Sequence, residues 1–304
     1  ITRFARGPGK SDLSSEGVTA IARDRKDRIW FAMSGGGLNR HDSATGTFTK
    51  FLTKPLDVPI TALAADAAGN LWLGTTREGV FRWNPDDGST VNRPMAAPIT
   101  AIVAASSGKI WIGSNGDGLL ALDPKTDKFV RHRHAVDDVS TISNDHVSAL
   151  FEDRNKHLWI GTTAGLNRLD PSGRFVRYQH DPNDPTSLSF QGVESVYQDA
   201  GGVMWVGGLT VGLCKFDDFR LKFGNHYIRN FATAFFEDPD STLWVGTYNN
   251  GLYKYERAAQ RLTVYHELRH SQSGKEGSQT LESGSWILAL HRSEEHTSEL
   301  QSQI

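Results

Sequence analysis

Six tryptophans, Trp30, Trp72, Trp111, Trp159, Trp205 and Trp244, each stand in the same short phrase: IWFAMS, LWLGTT, IWIGSN, LWIGTT, MWVGGL and LWVGTY. The intervals between them are 42, 39, 48, 46 and 39 residues. Periods of this size belong to propeller blades or helical arrays, so the chain is one structural unit copied along its length. An Asp stands six residues before five of the tryptophans (Asp24, Asp66, Asp153, Asp199 and Asp238), and Ala105 takes that place before Trp111. A Gly follows each Trp by seven residues (Gly37, Gly79, Gly118, Gly212, Gly251) or six (Gly165), and Leu or Val comes next.

The pattern inside one copy decides between blade and helix pair. In the second copy, Ile60 to Ala65 is a short apolar run, too brief for a stable helix and closed by the turn chemistry of Asp66-Ala67-Ala68-Gly69. Leu71 to Thr75 and Val80 to Trp83 follow, separated by a polar turn ending at Gly79. A fourth strand is best seen in other copies, at Phe48 to Leu52, Phe129 to His132, Phe175 to Tyr178 and Leu262 to Tyr265. Four short antiparallel strands per period, with no helical spacing, predict an all-β chain of propeller blades. In such a blade the Trp on the second strand fills the wedge between neighbouring sheets. The Gly two residues after it (Gly74, Gly113, Gly161, Gly207, Gly246) admits a close neighbour, and Ala32 in the first copy should pack less tightly. The Asp is expected to fix the first hairpin by accepting backbone amides two or three residues on. The charged run Lys128 to His134 suits an exposed, protected outer edge.

The idealised phrase D-x-x-G-x-L-W-I-G-T-x-x-G-L-N-R-x-D resembles the two-component regulator propeller repeat. The fourth copy, Glu152 to Asp170, follows it closely apart from Lys156 at the usual Gly, and His180 to Ser189 resembles the family's inter-repeat segment. The resemblance covers residues 1 to about 291. It implies a ligand-sensing propeller in the periplasmic region of a bacterial hybrid histidine kinase, with an oligosaccharide as the expected ligand. It also implies a second propeller or a β-domain as partner, and a homodimer in the full-length protein. A kinase or diguanylate cyclase would lie elsewhere in the full-length protein, and this segment itself is expected to be non-catalytic.

Composition agrees with a globular domain: 38% of residues are apolar and 22% charged. Lys and Arg number 33 against 35 Asp and Glu, so no positive excess favours nucleic acid or an anionic membrane. No apolar run approaches a membrane span. The single Cys214 forms no internal disulfide and is expected to pack as a small apolar residue. A seventh copy begins at Trp286 to His291, which aligns with Pro59 to Ala64. The pattern then calls for Asp at 293 and Trp at 299, where the chain has Ser293 and Glu299, with Gln301 where the Gly belongs. The phrase from Arg292 to Ser302 resembles the in-frame translation of a sequencing-library adapter. Residues 1–291 are therefore read as a partial seven-bladed propeller of six complete blades and a truncated seventh. Residues 292–304 are read as a non-native tail, disordered or helical. Ile1 to Phe4 resembles an outer strand that completes the last blade.

Ligand contacts are expected where the fourth-to-first and second-to-third connections share a face. Two long connections, Ala135 to Asp145 and Asp181 to Gly192, concentrate there. They bring Asn144, Asp145, Phe190 and Gln191 beside Asn115 and Asp117 of one turn and Tyr248, Asn249 and Asn250 of another. Amides and carboxylates suit sugar hydroxyls, and Phe190 or Tyr248 could stack on a sugar ring; the same residues also serve ordinary hairpin chemistry. No nucleophile elbow, zinc-protease helix or phosphate loop is present, so no catalytic residue, metal or cofactor is assigned. His132, His134, His146 and His157 lack metal-ligand spacing and are expected to be solvated. The competing classes are a propeller glycosidase or lyase and a protein-interaction scaffold. A glycosidase needs two carboxylates about 5–10 Å apart in one pocket.

Overall fold

The computed structural model describes residues 7–265, apart from 10–11, 16, 52–55, 171–172, 210–211, 218–221, 227, 229–230, 249–250, 258 and 260, together with 290–292 and 300–302. It contains six four-stranded antiparallel sheets, each with its strands in sequence order. The first begins with Val18–Arg23, Ile29–Met33, Leu38–Asp42 and Thr47–Phe51. The first strand of every sheet lies beside the first strand of the next, so these strands surround the axis and the others step outward. The architecture is an all-β propeller of six blades, with no helix among the described residues. The strands expected in the second copy appear as Ile60–Ala65, Leu71–Thr75 and Val80–Trp83, and Thr90–Arg93 is its outer strand.

Each blade packs on the next through its tryptophan. Trp30 is fully buried against Leu71, Leu73, Phe81 and Trp83 of blade 2. Trp205 of blade 5 is buried against Leu243, Val245 and Tyr253 of blade 6. Burying an indole requires an acceptor for its N–H, and the Asp six residues upstream supplies it. Trp30 donates to Asp24 at 2.8 Å, Trp72 to Asp66 at 2.8 Å, Trp159 to Asp153 at 2.8 Å, Trp205 to Asp199 at 2.7 Å and Trp244 to Asp238 at 2.9 Å. The other carboxylate oxygen accepts the amide four residues on, as His157 N donates to Asp153 at 2.8 Å and Val203 N to Asp199 at 2.9 Å. The expected reach of two or three residues is thus corrected to four, although Lys26 N also reaches Asp24 at 2.8 Å. Four residues is the span at which the turn delivers the start of the second strand back over the Asp.

Close approach at the Gly two after Trp is equally concrete. A Cβ on Gly161 would lie 2.7 Å from Val193 Cγ1 of the next blade, and one on Gly74 would lie 2.5 Å from Ile99 Cγ2. Ala32 at the same place in blade 1 is fully buried against Ile60.

Inner strands are also tied by hydroxyls. Thr19 donates to Ile60 O at 2.6 Å, Thr61 to Ile99 O at 2.6 Å, Thr100 to Val147 O at 2.5 Å and Ser148 to Val193 O. Each donor sits at the register shift near the start of its strand, where a bulge re-aims the side chain toward the neighbouring blade.

Beyond blade 6, Leu290–Arg292 pairs antiparallel with Leu300–Ser302 and lies beside the inner strand Ala232–Glu237. The expectation of a disordered or helical tail therefore fails at 300–302. A lone strand leaves its backbone donors and acceptors open, and this segment supplies partners for them. The described residues do not form a seventh blade. Ile1 to Phe4 and 286–289, on which the closing strand and the start of the seventh copy were expected, lie outside the described residues.

Candidate functional site

The turns between second and third strands are hydrogen-bonded to the connections that lead into inner strands. Asn115 N donates to Pro98 O at 2.9 Å, and the amides of Gly116 and Gly118 donate to Asp145 O at 3.1 and 3.0 Å. Leu209 N reaches Gly192 O at 2.7 Å and Tyr248 N reaches Phe231 O at 3.0 Å. Backbone bonding of this kind joins the two loop families into one rim.

Both long connections are ordered by the same device. Asp138 accepts the Ser140 amide and Asp184 the Thr186 amide, each at 2.8 Å. A hydroxyl then bridges the loop ends: Thr141 donates to Asp138 O at 2.9 Å, and Ser187 to Asp184 O at 2.7 Å. Arg177 on the outer strand of blade 4 pins the first loop, donating to Thr141 O and Asp138 O at 2.8 Å and to Ile142 O at 3.1 Å. Val136 and Val139 at its tip remain 82% and 77% exposed.

The structure brings four of the expected residues together, between blades 3 and 4. Asn115 is exposed and bridged to His146 through the backbone. Asp117 is half-buried, pairing with Arg133 and lying 3.5 Å from Arg131. Asn144 accepts the His146 amide at 2.8 Å and Asp145 the His134 amide at 2.7 Å, so these two shape the turn. Gln191 is exposed on the next connection. Phe190 beside it is only 4% exposed and packs with Leu166, Leu188 and Cys214, which removes its ring from the rim. Its aromatic surface gains more from that core than from water. Tyr248 is half-buried with its ring stacked on Phe231 at 5.2 Å, remote from the patch of blades 3 and 4. Asn249 and Asn250 lie outside the described residues.

Beside Asp117 opens a cleft of about 640 Å³, lined further by Pro94, Met95, Leu120, Phe129 and Arg131. Its size falls within the range of small-molecule sites. Phe129 is 39% exposed and adds an aromatic face to a carboxylate and a guanidinium. Sequence reasoning passed over Phe129 and Arg131 as edge-strand residues.

Glu194 was missed as well. It occupies the bulge near the start of its inner strand, where blades 1 to 4 carry Thr19, Thr61, Thr100 and Ser148. Ser195 takes over the tie, donating to Ala232 O. Glu194 is left half-buried without a hydrogen bond among the described residues, and burial pushes its carboxyl up to about 7. Aligning the six copies at this position is the signal that would have found it.

The histidines do not gather; His146 is exposed as expected, whereas His132, His134 and His157 are half-buried. His132 packs between Trp111 and Phe175, with ring centroids 5.7 and 5.3 Å away, and burial, then nearby Lys109, lowers its pKa. His157 contacts Asp153 at 3.1 Å. Among the described residues, no group of three or more His, Cys, Asp or Glu could hold a metal ion. Cys214 is fully buried, its thiol pushed up to about 11 by that burial.

On the opposite face, a second cleft of about 500 Å³ lies beside Trp111, with Lys109, Lys128 and His132 among its walls. Asp123 and Asp170 also line it, each turned to its own hairpin: Asp123 accepts the Lys125 amide at 2.9 Å and Asp170 the Arg174 amide at 3.0 Å.

The model of the two component regulator propeller family matches residues 55–77, 141–164 and 226–249, the segments that hold the Asp and Trp of blades 2, 4 and 6. No protein of curated function matches the sequence. Among solved structures, the fold is similar to the extracellular domain of a B. thetaiotaomicron protein assigned to a one component system. That pair has 17% identity and a TM-score of 0.76, over 99% of this chain and 38% of that one. It is similar too to the extracellular domain of a B. thetaiotaomicron protein assigned to a hybrid two component system, with 20% identity and a TM-score of 0.71, over 94% of this chain and 38% of that one. Virginiamycin B lyase from Staphylococcus aureus shares the fold at 13% identity and a TM-score of 0.64, over 82% of this chain and 84% of that one. The chain therefore spans well under half the length of either B. thetaiotaomicron domain.

Proposed function

We propose that this chain, which carries two component regulator propeller repeats, is a ligand-sensing segment from the extracytoplasmic region of a bacterial signalling protein, with a hybrid histidine kinase as its output. The family match carries this reading. It is supported by the similarity of the fold to the extracellular domains assigned to a one component system and to a hybrid two component system. In this reading the segment works in the periplasm beside a second propeller or β-domain, and the whole protein acts as a dimer.

The ligand is assigned to the cleft beside Asp117, and an oligosaccharide fits it. A sugar presents hydroxyls to a carboxylate and a guanidinium, and a C–H face to an aromatic ring such as Phe129. Among its lining residues the cleft holds one carboxylate, Asp117. Glycosidic cleavage uses a pair, which favours binding over catalysis. Titration against a panel of oligosaccharides tests the assignment. D117A and F129A are each expected to weaken binding about tenfold, or about 1.4 kcal/mol. Affinities unchanged in both variants would move the ligand away from this cleft.

A further inference from the structure

Blade 3 departs from the other blades at one atom group. Five tryptophans give their indole N–H to an upstream carboxylate, but the residue six before Trp111 is Ala105. The turn itself is unchanged. Ala105 N donates to Lys109 O at 2.9 Å and Gly108 N to Ala105 O at 2.8 Å, as Asp66 N does to Asn70 O at 2.9 Å and Gly69 N to Asp66 O at 3.0 Å.

What is missing is the acceptor, and two donors stay behind. Trp111 Nε1 has no hydrogen bond among the described residues. The Lys109 amide, whose counterparts all reach an Asp oxygen, meets only Ser107 Oγ at 3.5 Å, at the outer limit of a hydrogen bond. Both residues line the 500 Å³ cleft. The ammonium groups of Lys109 and Lys128 there form no ion pair among the described residues. The remaining walls include the ring of Trp111 and the aliphatic side chains of Ala121, Val130 and Leu169.

We infer that this cleft binds an organic carboxylate whose carboxyl group takes the place that an Asp side chain holds in the other five blades. The indole and the Lys109 amide supply directed donors, the lysines supply charge, and the apolar walls hold an aryl or alkyl body. Asp123 and Asp170 oppose a second anion. Each already accepts amide hydrogen bonds from its own turn, and burial holds His132 towards its neutral form. The cleft opens among first-to-second and third-to-fourth turns, on the face away from the long loops, so it is independent of the sugar assignment.

Benzoate is a suitable probe, with benzyl alcohol as its neutral counterpart. In ¹⁵N–¹H spectra the Trp111 indole resonance, assigned by its loss in W111F, is expected to shift with benzoate at roughly millimolar half-saturation. Benzyl alcohol should leave it in place. A105D restores the internal acceptor, so it should raise the melting temperature and abolish the benzoate shift. The inference is overturned if benzoate leaves the resonance unmoved, if benzyl alcohol moves it equally, or if A105D responds to benzoate like the parent chain.

Discussion

A carboxyl group placed among buried strands without a donor resists ionising, and Glu194 is in that position. Its ordinary pKa of 4.5 rises to about 7 because burial penalises the charge. Between those values the folded chain holds a proton that the unfolded chain has released, so stability falls as pH increases. The contribution is fully present below about pH 4.5 and is lost through about pH 7. After allowance for partial solvent contact it amounts to roughly 1–3 kcal/mol. Urea unfolding between pH 4.5 and 7.5 should show this decline in the parent chain and a flatter profile in E194Q. Equal slopes in both would assign the decline to other groups. Within its own copy nothing marks the residue, and only alignment of the copies sets it against Thr19, Thr61, Thr100 and Ser148. Its environment comes from a bulge and from the neighbouring blade, and both are tertiary.

At the scale of the element, the chain's hairpins were legible because hairpins are local. Ile60–Ala65, Leu71–Thr75, Val80–Trp83 and Phe175–Tyr178 fall where the apolar runs and turn residues put them. Other outer strands begin one residue early, as Lys128–His132 does. The spacing of Asp and Trp was read correctly as a constant, but its main cause was not. Six residues is the distance at which the carboxylate, folded back through the turn, meets the indole of the second strand. Rim residues were less legible. Phe190 sits in a polar connection, yet the two blades it joins enclose it, and no pattern within the connection reports their spacing. The glycines after Trp state the packing rule more plainly. In G161A the new Cβ would meet Val193 Cγ1 at 2.7 Å, so blades 4 and 5 must separate slightly. A loss of about 1–3 kcal/mol in chemical denaturation is expected, typical of an overpacked core. A neutral effect would mean that the Val193 side chain yields without moving its strand.

For the whole molecule, each blade lends its tryptophan to the next, so the last tryptophan of the series depends on the segment beyond blade 6. Trp205 is buried between blades 5 and 6, in edge contact with Tyr255 at 5.0 Å. Trp244 makes the same bond to its Asp, but it is only partly buried, beside Tyr265 at 5.5 Å and Lys254. The strand Leu290–Arg292 lies against the inner strand of blade 6, where a seventh blade would start. If no complete seventh sheet covers the outer part of blade 6, truncating the two tryptophans should have unequal consequences. W205A should cost about 3–5 kcal/mol, the range for a large aromatic removed from a core. W244A should cost roughly 1–2 kcal/mol, because less apolar surface leaves water when its ring packs. Amide hydrogen exchange should rank the blades in the same way, with blade 6 opening more readily than blades 3 to 5. Equal costs and equal protection would require Trp244 to be sandwiched like the others. The propeller would then close on a seventh sheet despite Glu299 standing where the repeat calls for tryptophan.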